Sequence, residues 1–524
     1  MNTRRLPSTR RRGRGRAAVA LLAAGSVLLL SGCGTRLTRD AIKAGGVAST
    51  QTLSQGQAIT QAGTTGGAAA DGSTGASVAG STGAVSSTTG AVAAGTTGAV
   101  AGGSAGAVSA GTTGGSTSTG GSTGATKPVA AADVMSLPIF GGNAPCVPAT
   151  GSPVKLGNVS TISGVLGELF SPVVPALQTF VKSQNACGGL NGHQIQLVLG
   201  DDQGDPSTAV SVAQRQIQND HILAFLGNIQ VLTVDAMVDV VNKSGIPIIG
   251  SDITNNTWFT QPLMFPQGPP PQAISYGYVQ AATQRFGTKK LGDVYCLEVP
   301  QACQQIDKAF KELAPKFGAQ SLVNTQVSIT SPSYTSQCQK FKDAGVETLA
   351  LTFDAASMKR FAQSCKQISY KPKWLAYPLG VGNEKQFLGE PLLGNTYVPL
   401  NTFAWMADST PAEKYWQASV KRFNPGFVSG DAAGLGWTSG ALLVAASAKL
   451  TSTPTTAEIL AGLYSLKGTT LGGLSAPLTY KKGGTPRIKY CLFAAIANGD
   501  ASGWATPVSK PACTDTRAPS DPNK

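Results

Sequence analysis

From Val154 onward, short apolar runs alternate along the chain with segments whose apolar residues recur at helical spacing. This alternation is typical of a parallel β-sheet covered by helices on both faces. The predicted strands are Val154–Val159, Ile195–Leu199, Ile222–Leu226, Ile246–Ile249, Leu291–Cys296, Thr348–Phe353 and Trp374–Ala376. The predicted helices are Pro172–Ser183, Val231–Lys243, Cys303–Leu313, Ser357–Cys365 and one that begins in the glycine-rich segment 434–440. The pattern therefore predicts an α/β fold.

The stretch from Gln184 to Thr208 holds the densest set of local signals. Gly188 and Gly189 predict the end of a helix, because glycine readily takes the left-handed conformation found after a helix. A Leu-Asn-Gly turn, a strand, an Asp-Asp pair and an Asp-Pro helix start follow in that order.

This ordered stretch resembles the type I periplasmic substrate-binding proteins of ABC transporters, in the branch that binds branched-chain amino acids and amides. The resemblance implies two doubly wound α/β lobes that are joined by three crossovers, with a ligand cleft between them. On this pattern we expect lobe one at 152–270 and 403–480, and lobe two at 271–402 and 481–513. A disordered tail is expected at 514–524, and Pro269–Pro271 lies at the expected first crossover.

The first 32 residues predict a secretory signal peptide. An arginine-rich start precedes the apolar run Ala17–Leu30, which is shorter than the roughly 20 residues of a membrane-spanning helix. Leu30-Ser31-Gly32-Cys33 resembles a bacterial lipoprotein cleavage box, so we expect lipid on Cys33; an ordinary signal peptide is the alternative. Residues 33–130 are rich in Gly, Ser, Thr and Ala and predict a disordered tether.

The net charge of +14 is concentrated at the start of the chain, where seven arginines lie within the first 16 residues, ahead of the first acidic residue, Asp40. Beyond them, 34 basic and 27 acidic residues are scattered along the sequence. A nucleic-acid-binding protein would instead show a basic stripe interleaved with aromatic residues. The charge pattern therefore predicts no nucleic-acid partner.

Eight of the nine cysteines follow Cys33, and an even number in an exported chain predicts disulfides. Eight cysteines allow 105 connectivities, of which neighbour pairing is the simplest. The neighbour pairs are Cys146–Cys187, Cys296–Cys303, Cys338–Cys365 and Cys491–Cys513. No close cluster of cysteine and histidine is present, so no metal site or cofactor is expected.

Ligands of open α/β sheets bind at the carboxyl ends of the strands, and the resemblance assigns candidate residues to the loops there. In lobe one they are Ser163, Gly164, Gln230, Val231, Asp252, Ile253 and Thr254. In lobe two they are Glu298, Phe353, Asp354, Tyr377 and Leu379. Val231 stands where family members usually offer a hydroxyl group to the carboxylate of an amino acid, and valine offers only its backbone N–H.

Leu379 departs most clearly from the family. The segment 378–383 matches the pattern Pro-Glu-Gly-Val-Gly-Asn except that Leu379 replaces the acidic residue, which pairs with the ammonium group of the ligand. A buried ammonium without a counter-charge costs several kcal/mol. We therefore expect an apolar ligand, or one with a carboxylate or amide, and not an ordinary α-amino acid, unless Asp252 or Asp354 replaces the lost charge.

Enzymatic function has little support, because the chain lacks the motifs G-x-S-x-G and H-E-x-x-H and a phosphate-loop lysine. The resemblance implies a monomeric, extracytoplasmic solute-binding lipoprotein that closes on a small molecule and delivers it to an ABC transporter permease. A ligand sensor of the same fold without transport is the first alternative, and a secreted hydrolase is the second.

Overall fold

The computed structural model describes residues 147–164, 166, 167, 169–505 and 507–524. The first of its sheets contains five parallel strands in the order β2-β1-β3-β4-β5. These strands are β1 (Gly151–Ser160), β2 (His193–Asp201), β3 (Ala224–Asn228), β4 (Ile248–Ser251) and β5 (Met264–Phe265).

The second sheet contains seven strands in the order β14-β13-β10-β9-β8-β6-β7. The five strands β7, β6, β8, β9 and β10 are parallel, whereas β13 and β14 add an antiparallel edge. They are β6 (Lys290–Cys296), β7 (Gln320–Val327), β8 (Thr348–Thr352), β9 (Lys373–Ala376), β10 (Tyr397–Leu400), β13 (Tyr490–Ile496) and β14 (Val508–Thr514). A small antiparallel pair consists of β11 (Lys467–Thr469) and β12 (Leu478–Thr479).

Helices connect the strands, and the chain passes between the two sheets after β5, after β10 and after β12. The helices are α1 (Val173–Ala186), α2 (Pro206–Gln218), α3 (Val234–Ser244), α4 (Gln272–Gln280), α5 (Pro300–Leu313), α6 (Thr335–Asp343), α7 (Ala355–Gln367), α8 (Glu384–Phe387), α9 (Pro411–Phe423), α10 (Asp431–Ala446) and α11 (Thr456–Ser465). The predicted fold class is confirmed. In the part of the chain covered here, no helix is both long and apolar enough to cross a membrane.

Helix α10 lies at the centre of the half that is built on the first sheet. It begins at Asp431, ahead of the glycine-rich segment in which the sequence predicted its start, and almost all of its residues are buried. The helix packs against α1 and β4, and small residues permit this approach. A Cβ atom on Gly440 would lie only 2.5 Å from the Phe180 ring, so a larger residue would push the helices apart.

Local signals fix the ends of several helices. Helix α1 ends at Ala186, and Gly188 and Gly189 follow with φ angles of 93° and 59°. Asp205 caps α2 by accepting a hydrogen bond from the backbone N–H of Thr208. Helices α9 and α11 begin with capping boxes, formed by the pairs Thr410 with Glu413 and Thr455 with Glu458.

Disulfide bonds join Cys296 with Cys303, Cys338 with Cys365, and Cys491 with Cys513. All are neighbour pairs, and all lie in the half that contains the second sheet. Cys187 is also disulfide-bonded. Its predicted partner Cys146 lies outside the described residues, as do the signal peptide, Cys33 and the tether.

The C-terminal tail differs from its prediction, because residues 514–524 pack against the second half. Ala518 is fully buried, and Arg517 forms an ion pair with Asp521 at 2.7 Å. The guanidinium group of Arg517 also lies 5.1 Å from the centre of the Tyr490 ring. The backbone N–H of Ser520 donates to a carboxylate oxygen of Glu312 in α5 at 2.8 Å. These contacts hold a segment whose polar composition predicted disorder.

The stability of this fold should depend on the protonation of Asp431, since burial raises its pKa to about 7. The unfolded carboxyl group has a pKa of about 4, so the folded state holds the extra proton between pH 4 and pH 7. Stability therefore falls as the pH rises through this window, and it stays lower above it. We expect Asp431→Asn to be more stable than the wild type at pH 8, by roughly 1–4 kcal/mol.

Urea unfolding at several pH values between 4 and 8 tests this expectation. The gap between variant and wild type should shrink toward pH 4, where both states of the wild type hold the proton. A difference in the free energy of unfolding that does not change with pH would contradict the raised pKa of Asp431. Asp239→Asn is the matched control, because Asp239 lies on the surface and is 80% exposed.

Candidate ligand-binding cleft

A cavity of about 500 Å³, including its mouth, lies between the two halves. All of its lining residues come from loops or strand ends at the carboxyl edges of the two sheets, or from the start of the helix that follows. They are Leu166, Leu169, Phe170, Val231, Thr254, Cys296, Glu298, Val299, Ala302, Cys303, Ile329, Thr352, Phe353, Asp354, Tyr377 and Leu379. The position is where parallel α/β sheets bind ligands.

The first-sheet wall of the cavity consists of Leu166, Leu169, Phe170, Val231 and Thr254. Four of these side chains are apolar. The hydroxyl group of Thr254 donates a hydrogen bond to Asp252 Oδ1 at 2.6 Å, so its proton is already used inside the protein. This wall therefore favours an apolar group of a ligand.

The second-sheet wall contains two acidic residues, Glu298 and Asp354. The disulfide Cys296–Cys303 also belongs to this wall, and it closes the short loop that carries Glu298. Phe353 stacks on Tyr334 with the two rings 11° from parallel, which fixes the residue before Asp354. Leu379 is buried in a short 3₁₀ turn after β9.

Seven of the predicted site residues line the cavity, and their contact with a ligand stays a prediction. They are Val231, Thr254, Glu298, Phe353, Asp354, Tyr377 and Leu379. The other five, Ser163, Gly164, Gln230, Asp252 and Ile253, do not belong to its lining.

Asp252 is buried and acts within the protein. Its Oδ2 accepts a hydrogen bond from the backbone N–H of Gln230 at 2.7 Å. Its Oδ1 accepts from the backbone and hydroxyl of Thr254 and from Trp258 Nε1, at 2.9, 2.6 and 3.0 Å. Burial raises the pKa of Asp252, although these hydrogen bonds oppose the shift. Asp252 therefore holds the loops of the first sheet together, and it is not among the residues that line the cavity.

The remaining four residues shape the loops of the first sheet. Ser163 is exposed, and its hydroxyl donates to Asp201 at the end of β2. Gly164 has a φ of 83°, which turns the chain toward the apolar segment that reaches the cavity. Gln230 is fully buried, and Ile253 has a φ of 51°, a conformation that is rare for a β-branched residue.

The sequence prediction missed the apolar residues of the first loop, and it paired Cys296 with Cys303 without placing this disulfide in the wall of a cavity. Leu166, Leu169 and Phe170 follow directly after the predicted loop at Ser163 and Gly164, so the cavity begins a few residues further along. Cys296 and Cys303 flank the predicted residue Glu298. These positions could have indicated that the disulfide belongs to the site, because a disulfide across a seven-residue separation must lie beside the loop it closes.

The sequence model described as "Periplasmic binding protein" matches residues 153–500. The chain belongs to this family. Its members are extracytoplasmic solute-binding proteins of ABC transporters and are not enzymes. The match covers every residue that lines the cavity and both sheets, except for β14 and the first two residues of β1.

Curated relatives match only short parts of this periplasmic binding protein. It is 28% identical over 105 residues to "Leu/Ile/Val-binding protein homolog 2" of Brucella abortus, which is 20% of this chain and 28% of that protein. It is 37% identical over 71 residues to "Amino acid binding protein" of Pseudomonas aeruginosa, which is 14% of this chain and 19% of that protein. The aligned regions thus span less than a third of each relative.

Solved structures match the fold over a much larger share. A fatty acid ABC transporter substrate-binding protein from Thermomonospora curvata has a TM-score of 0.60 at 18% identity, covering 71% of this chain and 97% of that one. A branched chain amino acid ABC transporter protein from Thermus thermophilus with bound valine has a TM-score of 0.59 at 14% identity, covering 70% and 98%. At these identities the likeness concerns the fold alone.

The Asp252 hydrogen bonds predict a large effect on stability. Asp252→Ala leaves the N–H groups of Gln230, Thr254 and Trp258 buried without an acceptor, and each such loss costs about 1–3 kcal/mol. We expect the free energy of unfolding in urea to fall by at least about 3 kcal/mol. Asp239→Ala, at an exposed ion pair with Lys243, should change it by less than about 0.5 kcal/mol. Equal effects of the two substitutions would refute this role of Asp252.

Proposed function

We propose that this protein is an extracytoplasmic solute-binding lipoprotein that captures a small molecule in the cavity and delivers it to an ABC transporter permease. The observation that carries the proposal is the lining of one cavity by loops of both sheets. A molecule bound there contacts both halves, so its binding free energy favours their approach.

Hinge closure is the proposed mechanism of capture. The chain passes between the halves three times, and these connections are where a small rotation is absorbed. A direct hydrogen bond already crosses the cleft, from Asn255 Nδ2 to Gln301 Oε1 at 3.3 Å. Bound ligand would add apolar contacts on both sides of this bond and would exclude water from the cavity.

The lining supports a ligand that is largely apolar and is not an ordinary α-amino acid. Val231 offers no hydroxyl group to the carboxylate of an amino acid, and Leu379 adds another apolar side chain to the lining. The sequence also allowed a ligand with a carboxylate. Such a group would be repelled by Glu298 and Asp354 at the second-sheet wall, where the lining contains no lysine, arginine or histidine.

Attachment to the membrane through lipid on Cys33 completes the proposal. A tether of about 80 residues has a mean reach of roughly 50 Å, which would let the folded part move between solution and a permease at the membrane. Cys33 and the tether lie outside the described residues, so this part rests on the sequence alone.

Ligand binding should raise the thermal midpoint of the protein. A ligand at a hundred times its dissociation constant adds about 2.7 kcal/mol of stability. A thermal-shift screen of amino acids, amides, carboxylates, amines and neutral apolar compounds should therefore give hits, and titration calorimetry should show one molecule per chain. Absence of any hit would count against solute binding.

Filling the cavity should abolish the thermal shift. Val231→Trp places a large ring in the first-sheet wall, so we expect the shift given by any hit to disappear. Leu232→Trp is the matched control, because Leu232 is the next residue, is 42% exposed and does not line the cavity. An unchanged shift in Val231→Trp would place the ligand elsewhere.

Replacement of the lipidated residue should release the protein from membranes. Cys33→Ser removes the thiol that accepts the lipid, so we expect the protein to move from the sedimented membranes to the soluble fraction. Ser49→Ala, in the tether, should leave it in the membranes. If Cys33→Ser still sediments with them, the proposed anchor is incorrect.

A further inference from the structure

Glu298 has one occupied and one unoccupied carboxylate oxygen. It lies in the loop after β6, where Oε1 accepts hydrogen bonds from the Ser328 hydroxyl at 2.6 Å and from the Ile329 backbone N–H at 3.0 Å. Oε2 is buried and has no hydrogen-bond partner among the described residues. The side chain is therefore fixed through one oxygen, and Glu298 is one of the residues that line the cavity.

Asp354 repeats this arrangement at the start of α7. Its Oδ1 caps the helix by accepting a hydrogen bond from the Ser357 backbone N–H at 2.9 Å. Its Oδ2 is buried, again without a partner in the part of the chain that the structure describes. Asp354 also lines the cavity, so both side chains belong to the second-sheet wall.

One hydrogen-bonded frame holds both carboxylates. Ile329 donates its backbone N–H to Glu298, and its carbonyl oxygen accepts from the Ser357 hydroxyl at 3.1 Å. The backbone N–H of Ser357 in turn donates to Oδ1 of Asp354. The Arg360 guanidinium donates to the same Ile329 carbonyl and to the Ser357 hydroxyl, behind the wall, and does not line the cavity. These hydrogen bonds position the carboxylates of Glu298 and Asp354, and Arg360 does not reach the cavity as a cation.

A buried carboxylate oxygen without a partner is unfavourable, because the lost hydration is not replaced. Two such oxygens in one cavity add their mutual repulsion. A ligand that brings positive charge and several N–H donors removes both penalties. An ammonium group has three donors and no acceptor, which fits a wall that offers acceptors only.

From this geometry we infer that the ligand is a small organic cation, an amine on an apolar body, whose ammonium group binds Glu298 Oε2 and Asp354 Oδ2. The inference rests on the proposed function and names the ligand class of the same cavity. The apolar body lies against the first-sheet wall, where Leu166, Phe170 and Val231 offer no polar group to it. The acidic charge absent at Leu379 is thus supplied from two other positions of the second-sheet wall.

The test uses compounds that share a body and differ in one end group. The probes are 3-phenylpropylamine, 3-phenylpropanamide and 3-phenylpropanoate, and the corresponding six-carbon alkyl amine, amide and carboxylate. Binding of each to the full mature chain is measured by calorimetry and by thermal shift at pH 7.5. We expect at least one amine to bind about tenfold or more tightly than its amide, and the carboxylate not to bind.

Isosteric variants identify the groups that bind the amine. Glu298→Gln and Asp354→Asn keep the oxygen that accepts from Ile329 or Ser357 and replace only the free oxygen, so the frame should remain intact. We expect each to weaken amine binding by about tenfold or more, the usual effect of losing a hydrogen bond to a charged group. Glu390→Gln is the control, since Glu390 caps a 3₁₀ turn in the same half and does not line the cavity.

The outcomes separate this inference from the proposed function. The inference is overturned if an amide, a carboxylate or an uncharged compound binds in the Val231-dependent site and the amines do not, or if amine binding is unchanged in both variants. Solute binding would stand in those cases. If no compound of any class binds, both proposals fail together. Unaltered thermal midpoints of the ligand-free variants would show that weakened binding does not come from unfolding.

Discussion

The buried carboxylate of Asp252 is the contact on which the shape of the first-sheet wall depends. It accepts hydrogen bonds from the loop after β3, through Gln230, and from its own loop after β4, through Thr254 and Trp258. Asp202 connects two loops in the same way, since its carboxylate accepts hydrogen bonds from the hydroxyl groups of Thr161, after β1, and Thr233, before α3. Parallel strands end at the same edge of a sheet, but their loops hold a common surface only when such acceptors tie them together.

Periodicity in the sequence predicted the strands β1 to β4, β6, β8 and β9 and the edge of the sheets at which the cavity lies, but it did not predict the other strands. It placed Val231, Thr254, Phe353 and Leu379 in loops that do reach the cavity. It could not distinguish the residues that line the cavity from the residues that support them. Asp252 and Thr254 stand two positions apart in one loop, and the sequence does not show which way each side chain points. The C-terminal tail was mispredicted for a related reason, as its burial depends on partners such as Tyr490 and Glu312 that are distant in sequence.

The distribution of charge in the cavity also shows why one substitution is hard to interpret alone. Leucine at position 379 predicted a cleft without a counter-charge for an ammonium group, unless Asp252 or Asp354 replaced it. The three-dimensional arrangement instead gives the cavity two carboxylates, each anchored by one oxygen and free at the other. A substitution at one position of a family pattern can be accompanied by a charged residue elsewhere in the site. The three-dimensional structure is needed to see whether the site has lost its charge.

The disulfides add a further consequence, because the three that the structure places fully all brace the half that carries the acidic wall. The bond between Cys296 and Cys303 closes the loop of Glu298, and that between Cys338 and Cys365 joins α6 to α7, the helix that Asp354 caps. Oxidation therefore sets the spacing of the two carboxylates as well as the stability of the chain. A protein made in a reducing compartment would retain its apolar wall, whereas the loop of Glu298 and the start of α7 would be less firmly held. Production in an oxidising compartment thus becomes a condition for measuring selectivity at all.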